Sequence, residues 1–169
     1  MHLLKIDATG VLAKKVQSNK LMNVKFEVDI HPPLGFKTEV RPLLPPITAS
    51  VTVLQPSSLF AGKMHAVLFR EWKQRVKGRD YYDLLWYLGQ NIPLQLFYLE
   101  QKMKEGGKIG VDEILTREKV LKLLESNIST IDWQKAKSDI INFLPNPQEL
   151  DHWSKEFFLS VISRLQTVK

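Results

Sequence analysis

The amino-acid sequence predicts an α+β fold, with a strand-and-turn region over residues 1–54 followed by a helical region over residues 55–169. Three observations predict it. Val24, Phe26, Val28 and Ile30 alternate with Lys25, Glu27 and Asp29, the period-two pattern of a half-buried strand. From Pro56 onward the apolar residues recur at helical spacing instead. Prolines and glycines gather at 31–36, 41–46, 105–110 and 144–147, where they interrupt regular structure. A chain of 169 residues makes one domain, or a small domain with an extension, and can bury a core.

The elements follow in order. A short strand over 2–7 is the first candidate, and "NVKFEVDI" (23–30) is the clearest strand. "HPPLGF" (31–36) ends it, because proline cannot continue a ladder and glycine permits a turn. "RPLLPP" (41–46) is extended or looped for the same reason, and the β-branched "ITASVTVL" (47–54) reads as a second strand. Ser57 or Ser58 can cap a helix over 59–71, with Phe60, Met64, Val67 and Leu68 on one face. A basic connector, 73–78, ends in Gly78. The next helix, 79–88, carries Asp80 in its first turn, where a carboxylate suits the helix dipole. After a flexible break at "EGGKIG" (105–110), three further helices are expected over 112–126, 132–143 and 148–166.

The chain has 24 basic and 18 acidic residues, a net charge of +6. Such a surface attracts phosphate polyanions, and an ordinary solvated lysine-rich surface would give the same count. Two clusters stand out: Lys14, Lys15 and Lys20, and then Arg70, Lys73, Arg75, Lys77 and Arg79. No apolar run approaches the ~18–20 residues of a membrane span, and residues 1–20 lack a signal-peptide core. With no cysteine, disulfides and thiolate metal sites are excluded. The expected setting is the cytoplasm, without a membrane partner.

Several residues could carry chemistry. Glu27 and Asp29 point to one strand face, about 7 Å apart, and could hold a divalent cation through oxygen ligands. On spacing alone, a solvated strand face with Lys25 as neighbour is the simpler explanation. Lys63 lies among apolar residues of the first helix and either snorkels to water or serves as a point charge for phosphate. "GK" at 62–63 is not a phosphate loop, because Ser57 stands where the first glycine belongs and Met64 replaces the hydroxyl. Asp80 and Asp83 project from one side of a helix, where Arg79 can pair with Asp83 at i, i+4. Helix packing could instead set Lys63 against Asp80 as a structural ion pair. The aromatic neighbours Tyr81, Tyr82, Trp86 and Tyr87 imply partial burial of these acids, which requires partners. The four histidines show no metal-ligand spacing, and His65 reads as a partly buried structural residue.

"LFAGKMHAVLFR" followed by "VKGRDYYDLLWYL" resembles the paired later motifs of the AbiEii family, nucleotidyltransferase-like toxins of type IV toxin–antitoxin and abortive-infection systems. In that pattern a K-h-h-A helix (h apolar) precedes an R-D-h-x-D helix across a short basic stretch. Lys63, Ala66, Arg79, Asp80 and Asp83 match it residue by residue, with His65 at an apolar position. "KFEVDIHPPLG" resembles the family's strand bearing a late acidic residue, so the likeness covers roughly residues 22–165.

The resemblance implies a nucleoside triphosphate bound with Mg²⁺ and a nucleotidyl group passed to an RNA-type acceptor. Lys63 would contact the phosphates, Asp80 would be the acid at the active centre, Arg79 and Asp83 would orient the nucleotide, and Glu27 or Asp29 would be the sheet carboxylate for metal. The family's G-G or G-S turn and D-x-D strand have no counterpart here beyond Asp7 and Gly10, which come in the wrong order. An N-terminally truncated homologue, with an incomplete nucleotidyltransferase-like sheet and inactive alone, is therefore expected. The alternative is a non-catalytic module that binds RNA through basic residues or docks a cognate antitoxin. An exposed sheet edge would also allow oligomers.

Overall fold

The computed structural model describes residue 28, residues 30–70 and residues 76–169. The chain divides into two compact units, Met1–Pro32 and Pro33–Lys169, and the second holds nearly all the described residues. The expected strand over 2–7 and all of 23–30 except Val28 and Ile30, including Glu27 and Asp29, lie outside the described residues. So do Asp7, Gly10, Lys14, Lys15, Lys20, Lys73 and Arg75. Val28 and Ile30 are exposed and in no strand.

The fold is mixed α+β, with a small sheet and a larger helical region. Strand β1 (Thr38–Leu43) pairs antiparallel with β2 (Ala49–Leu54), setting Thr38 against Leu54 and Leu43 against Ala49. β2 falls within the expected second strand. β1 was not expected, because Pro42 and the prolines beyond it argue against a ladder. Among the described residues β1 and β2 pair only with each other, and a strand with an edge to solvent tolerates a proline.

Helix α1 (Pro56–Phe69) begins three residues earlier than the spacing predicts. Pro56 suits the first helical turn, since its missing N–H would be unpaired there anyway. The expected serine cap does not form. The N-cap is Gln55, which makes no side-chain cap bond. Ser58 turns inward and is fully buried. Its hydroxyl accepts from the Lys37 backbone N–H at 2.8 Å and donates to Gln95 Oε1. Gln95 Nε2 donates in turn to the Gly35 carbonyl at 2.8 Å, so a buried polar chain fastens the 35–37 turn to α1. Ser58→Ala would strand the Lys37 N–H and the Gln95 oxygen. The expected cost is about 1–3 kcal/mol, read as a lower urea midpoint with an unchanged slope.

Helix α2 (Gly78–Gly89) matches expectation within a residue at each end. Helix α3 (Leu96–Glu105) was not expected. Its buried residues Tyr98, Leu99 and Met103 make too narrow a stripe to stand out among polar neighbours. Helix α4 (Arg117–Thr130) starts later than residue 112, because the Thr116 hydroxyl caps it by accepting from Lys119 N–H. Helix α5 (Trp133–Ile140) is capped by Asp132, which accepts from Gln134 and Lys135 N–H at 3.1 Å, and a 3-10 turn at Ile141–Phe143 completes the expected span. The single helix expected over 148–166 is two pieces. A 3-10 helix at Pro147–His152 ends as Trp153 turns extended, and helix α6 (Lys155–Ile162) restarts under a Ser154 cap. A final strand, β4 (Thr167–Val168), pairs parallel with β3 (Leu94–Gln95).

The core gathers around α1 and α2. Phe60, Met64, Leu84, Leu99, Leu124, Ile128 and Phe158 are all buried. Phe158 stacks on Trp133 at 4.3 Å and meets Trp153 and Tyr81 edge-on at 5.2 and 5.8 Å. The Tyr81 hydroxyl donates to Asn127 Oδ1 at 2.6 Å, and Asn127 Nδ2 donates to the Val67 carbonyl at 3.3 Å. α2, α4 and α1 are thus tied by one hydrogen-bonded chain. Among the described residues no helix is long and apolar enough to cross a membrane.

Candidate functional site

Helices α1 and α2 run antiparallel. Three contacts in reverse order fix this: Phe60 stacks on Tyr87 with ring centres 4.6 Å apart, Lys63 bonds Asp83, and Arg70 approaches Asp80 at 3.7 Å. Apolar residues on the inner faces set the register, which brings the two matched motifs together. Lys63 Nζ donates to Asp83 Oδ2 at 2.6 Å. With side chains 47% and 34% exposed, the pair is half in solvent and contributes only ~0.2–1 kcal/mol. Stability alone is a weak reason to place it there.

Asp80 differs from Asp83. Its side chain is buried, in the first turn of α2, and its backbone N–H bonds the Lys77 carbonyl at 3.1 Å. Burial raises its pKa above the ordinary carboxylate value, and the neighbouring charge of Asp83 adds to the rise. Arg70, Lys63 and Lys77 pull the other way without cancelling it. A buried acid with a raised pKa amid several cations is a common mark of a functional position.

The sequence-predicted residues separate into two groups. Lys63, Asp80 and Asp83 come together across α1 and α2. Lys63 bonds Asp83 rather than Asp80, although its charge still reaches Asp80. Arg79 is exposed and makes no ion pair among the described residues, so the expected i, i+4 pairing with Asp83 is replaced by Lys63. Glu27 and Asp29 fall outside the described residues. His65 is half-buried, with burial foremost and Lys102, Lys108 and Arg70 behind it pushing its pKa down. Its ring packs against Phe69 at 5.3 Å, in keeping with the partly buried structural residue expected.

Two neighbours escaped the sequence reading. Arg70 was read as part of a basic run and on the Lys63 side of the first helix, without a partner assigned, yet it reaches Asp80 from the end of α1. Trp86 was read as evidence of burial but is 52% exposed. Helical spacing from Asp83 would have found it, since residues three apart share a face.

No group of three or more acidic or histidine side chains is placed to hold a metal among the described residues. Mg²⁺ characteristically uses one or two carboxylates together with substrate phosphates. Asp80 and Asp83, three residues apart on α2, are instead set near Arg70 and Lys63 respectively.

A family model described as "Nucleotidyl transferase AbiEii toxin, Type IV TA system" matches residues 4–160. The chain belongs to the AbiEii family. The AbiEii match takes in the α1–α2 pair and extends through most of α6. No curated protein and no solved structure matches the chain.

Proposed function

We propose that the α1–α2 face is the nucleotide-binding part of an AbiEii-type, Mg²⁺-dependent nucleotidyltransferase, which passes a nucleotidyl group to an RNA-type acceptor. The observation that carries this reading is the buried, charge-crowded Asp80 beside the half-exposed Lys63–Asp83 pair. Lys63 contacts the triphosphate, trading its Asp83 partner for phosphate oxygens, because a lysine head is a mobile point charge. Asp83, freed by that exchange, and Asp80 then offer carboxylate oxygens on one side of α2. Arg79, exposed one residue before Asp80, adds a second cation toward the phosphates. Mg²⁺, when bound, neutralises charge developing on the transferred group.

Two carboxylates are few for this chemistry. Transfer by the chain alone is expected to be absent or very weak.

The test is calorimetric titration of each nucleoside triphosphate with Mg²⁺ into the protein and its Lys63→Ala variant. Saturable binding is expected, weakened at least about tenfold by the substitution, roughly the worth of one charge-assisted contact. Absence of binding to every nucleotide overturns the reading and leaves a non-catalytic module that binds RNA or a cognate antitoxin. An RNA-only module would show affinity falling steeply with salt and indifferent to Asp80→Ala.

A further inference from the structure

We propose that Trp86 is the platform on which the base of the bound nucleotide stacks. The inference rests on the nucleotide-binding reading of the α1–α2 face and adds the part of the ligand that the charged residues do not address.

Trp86 lies one helical turn beyond Asp83 on the same side of α2, and Asp83 is held by Lys63 at 2.6 Å. A ligand with phosphates at Lys63 therefore has an indole face within one turn, ~5.4 Å along the helix. Trp86 is 52% exposed, but it is not loose. Its ring meets Tyr87 edge-on at 4.9 Å and 89°, and Tyr87 is itself stacked on the fully buried Phe60. The indole is braced from the core on one edge while much of its surface stays open to solvent.

The surroundings suit a flat ring. Across the helix pair, Leu59 is 43% exposed one turn before Lys63, and a side chain added at Gly62 would meet nothing within 4 Å. The surface at Gly62 is therefore open, with the partly exposed Leu59 one turn before Lys63. Tyr82, 36% exposed, lies one helical turn before Trp86 on the same face of α2. Aromatic platforms beside cations bind nucleotides because every base has a π face, and the stacking is tolerant of base identity. Lys63 and exposed Arg79 supply charge complementary to phosphate, which favours a nucleotide over an apolar protein segment.

The experiment compares the parent protein with Trp86→Ala and Trp86→Phe by calorimetry, using ATP, UTP and inorganic tripolyphosphate, each with Mg²⁺. Both nucleotides should weaken about tenfold or more in Trp86→Ala, while tripolyphosphate, which has no base, binds as before. Trp86→Phe should restore most of the loss. Equal weakening of all three ligands, or none, overturns the stacking role. If tripolyphosphate binds through Lys63 as tightly as ATP, the phosphate reading stands and the platform falls. If none of the three binds, both fall together. Unchanged thermal melting of Trp86→Ala, expected for a half-exposed side chain, excludes unfolding as the cause.

Discussion

Gly78→Ala is expected to be among the most damaging single substitutions in the chain. A Cβ at position 78 would lie 2.0 Å from the Ala136 carbonyl oxygen, 3.0 Å from its carbon and 3.2 Å from Ile140 Cγ2. The first two are backbone atoms, so no rotamer change relieves them and α2 must move away from α5. Alanine is otherwise the better helix former by about 1 kcal/mol. Overpacking costs 1–3 kcal/mol and occasionally more, and contact with a main-chain carbonyl belongs at the upper end. A net loss of about 3 kcal/mol would lower Tm by about 6–12 °C for a chain of this size. Adding Ala136→Gly should not rescue the variant, because the contact is with the carbonyl and not the side chain. Unchanged melting of Gly78→Ala would show that the α2–α5 approach is looser than described.

The damage should extend to the site. The Gly78 N–H donates to Asp139 Oδ2 at 3.1 Å, which pins the start of α2 to α5. Asp80 sits two residues on and Asp83 one turn further. Moving the start of α2 shifts both carboxylates relative to Lys63, so nucleotide binding should weaken even where the variant remains folded.

How much of this was legible in the sequence follows from the range of each interaction. Local signals served well. The charged first turn and the apolar residues at helical spacing outlined α2, and the proline-bounded β-branched run outlined β2. Interactions across the fold were not readable. Ser58 looked like a cap because its position suited one, but its hydroxyl is used by Lys37 and by Gln95, 37 residues away. Gly78 looked like the end of a connector, and only the approach of α5 shows why a side chain is excluded. The break at Trp153 was hidden because the flanking segments both carry helical spacing, while the aromatic cluster around Phe158 holds the turn. For the site, the motif identified Lys63, Asp80 and Asp83, but their pairing could not be read from one dimension. Arg79 was the nearest base in sequence to Asp83, whereas the antiparallel packing of α1 supplies Lys63.

Asp80→Asn should separate structural from functional use of the acid. An acid whose folded pKa lies above its ordinary 3.8 holds its proton more tightly when folded. Stability therefore falls as pH rises from the unfolded value through the folded one, and above that window the buried charge is a constant penalty. Asparagine keeps the shape and the hydrogen-bonding capacity without the charge. It loses the Arg70 contact, which at 3.7 Å with a half-exposed arginine is weak, and the attraction of Lys63 and Lys77, which together do not offset burial. At pH 7 the variant should melt no lower than the parent. Below the ordinary carboxylate pKa the two should converge, because both then carry an uncharged group. Binding of Mg²⁺ and nucleoside triphosphate should meanwhile be lost, since a neutral amide is a poor partner for a hard cation. The opposite outcome, lower melting at pH 7 with nucleotide affinity intact, would make Asp80 a structural partner of Arg70 and remove the acid from the proposed site.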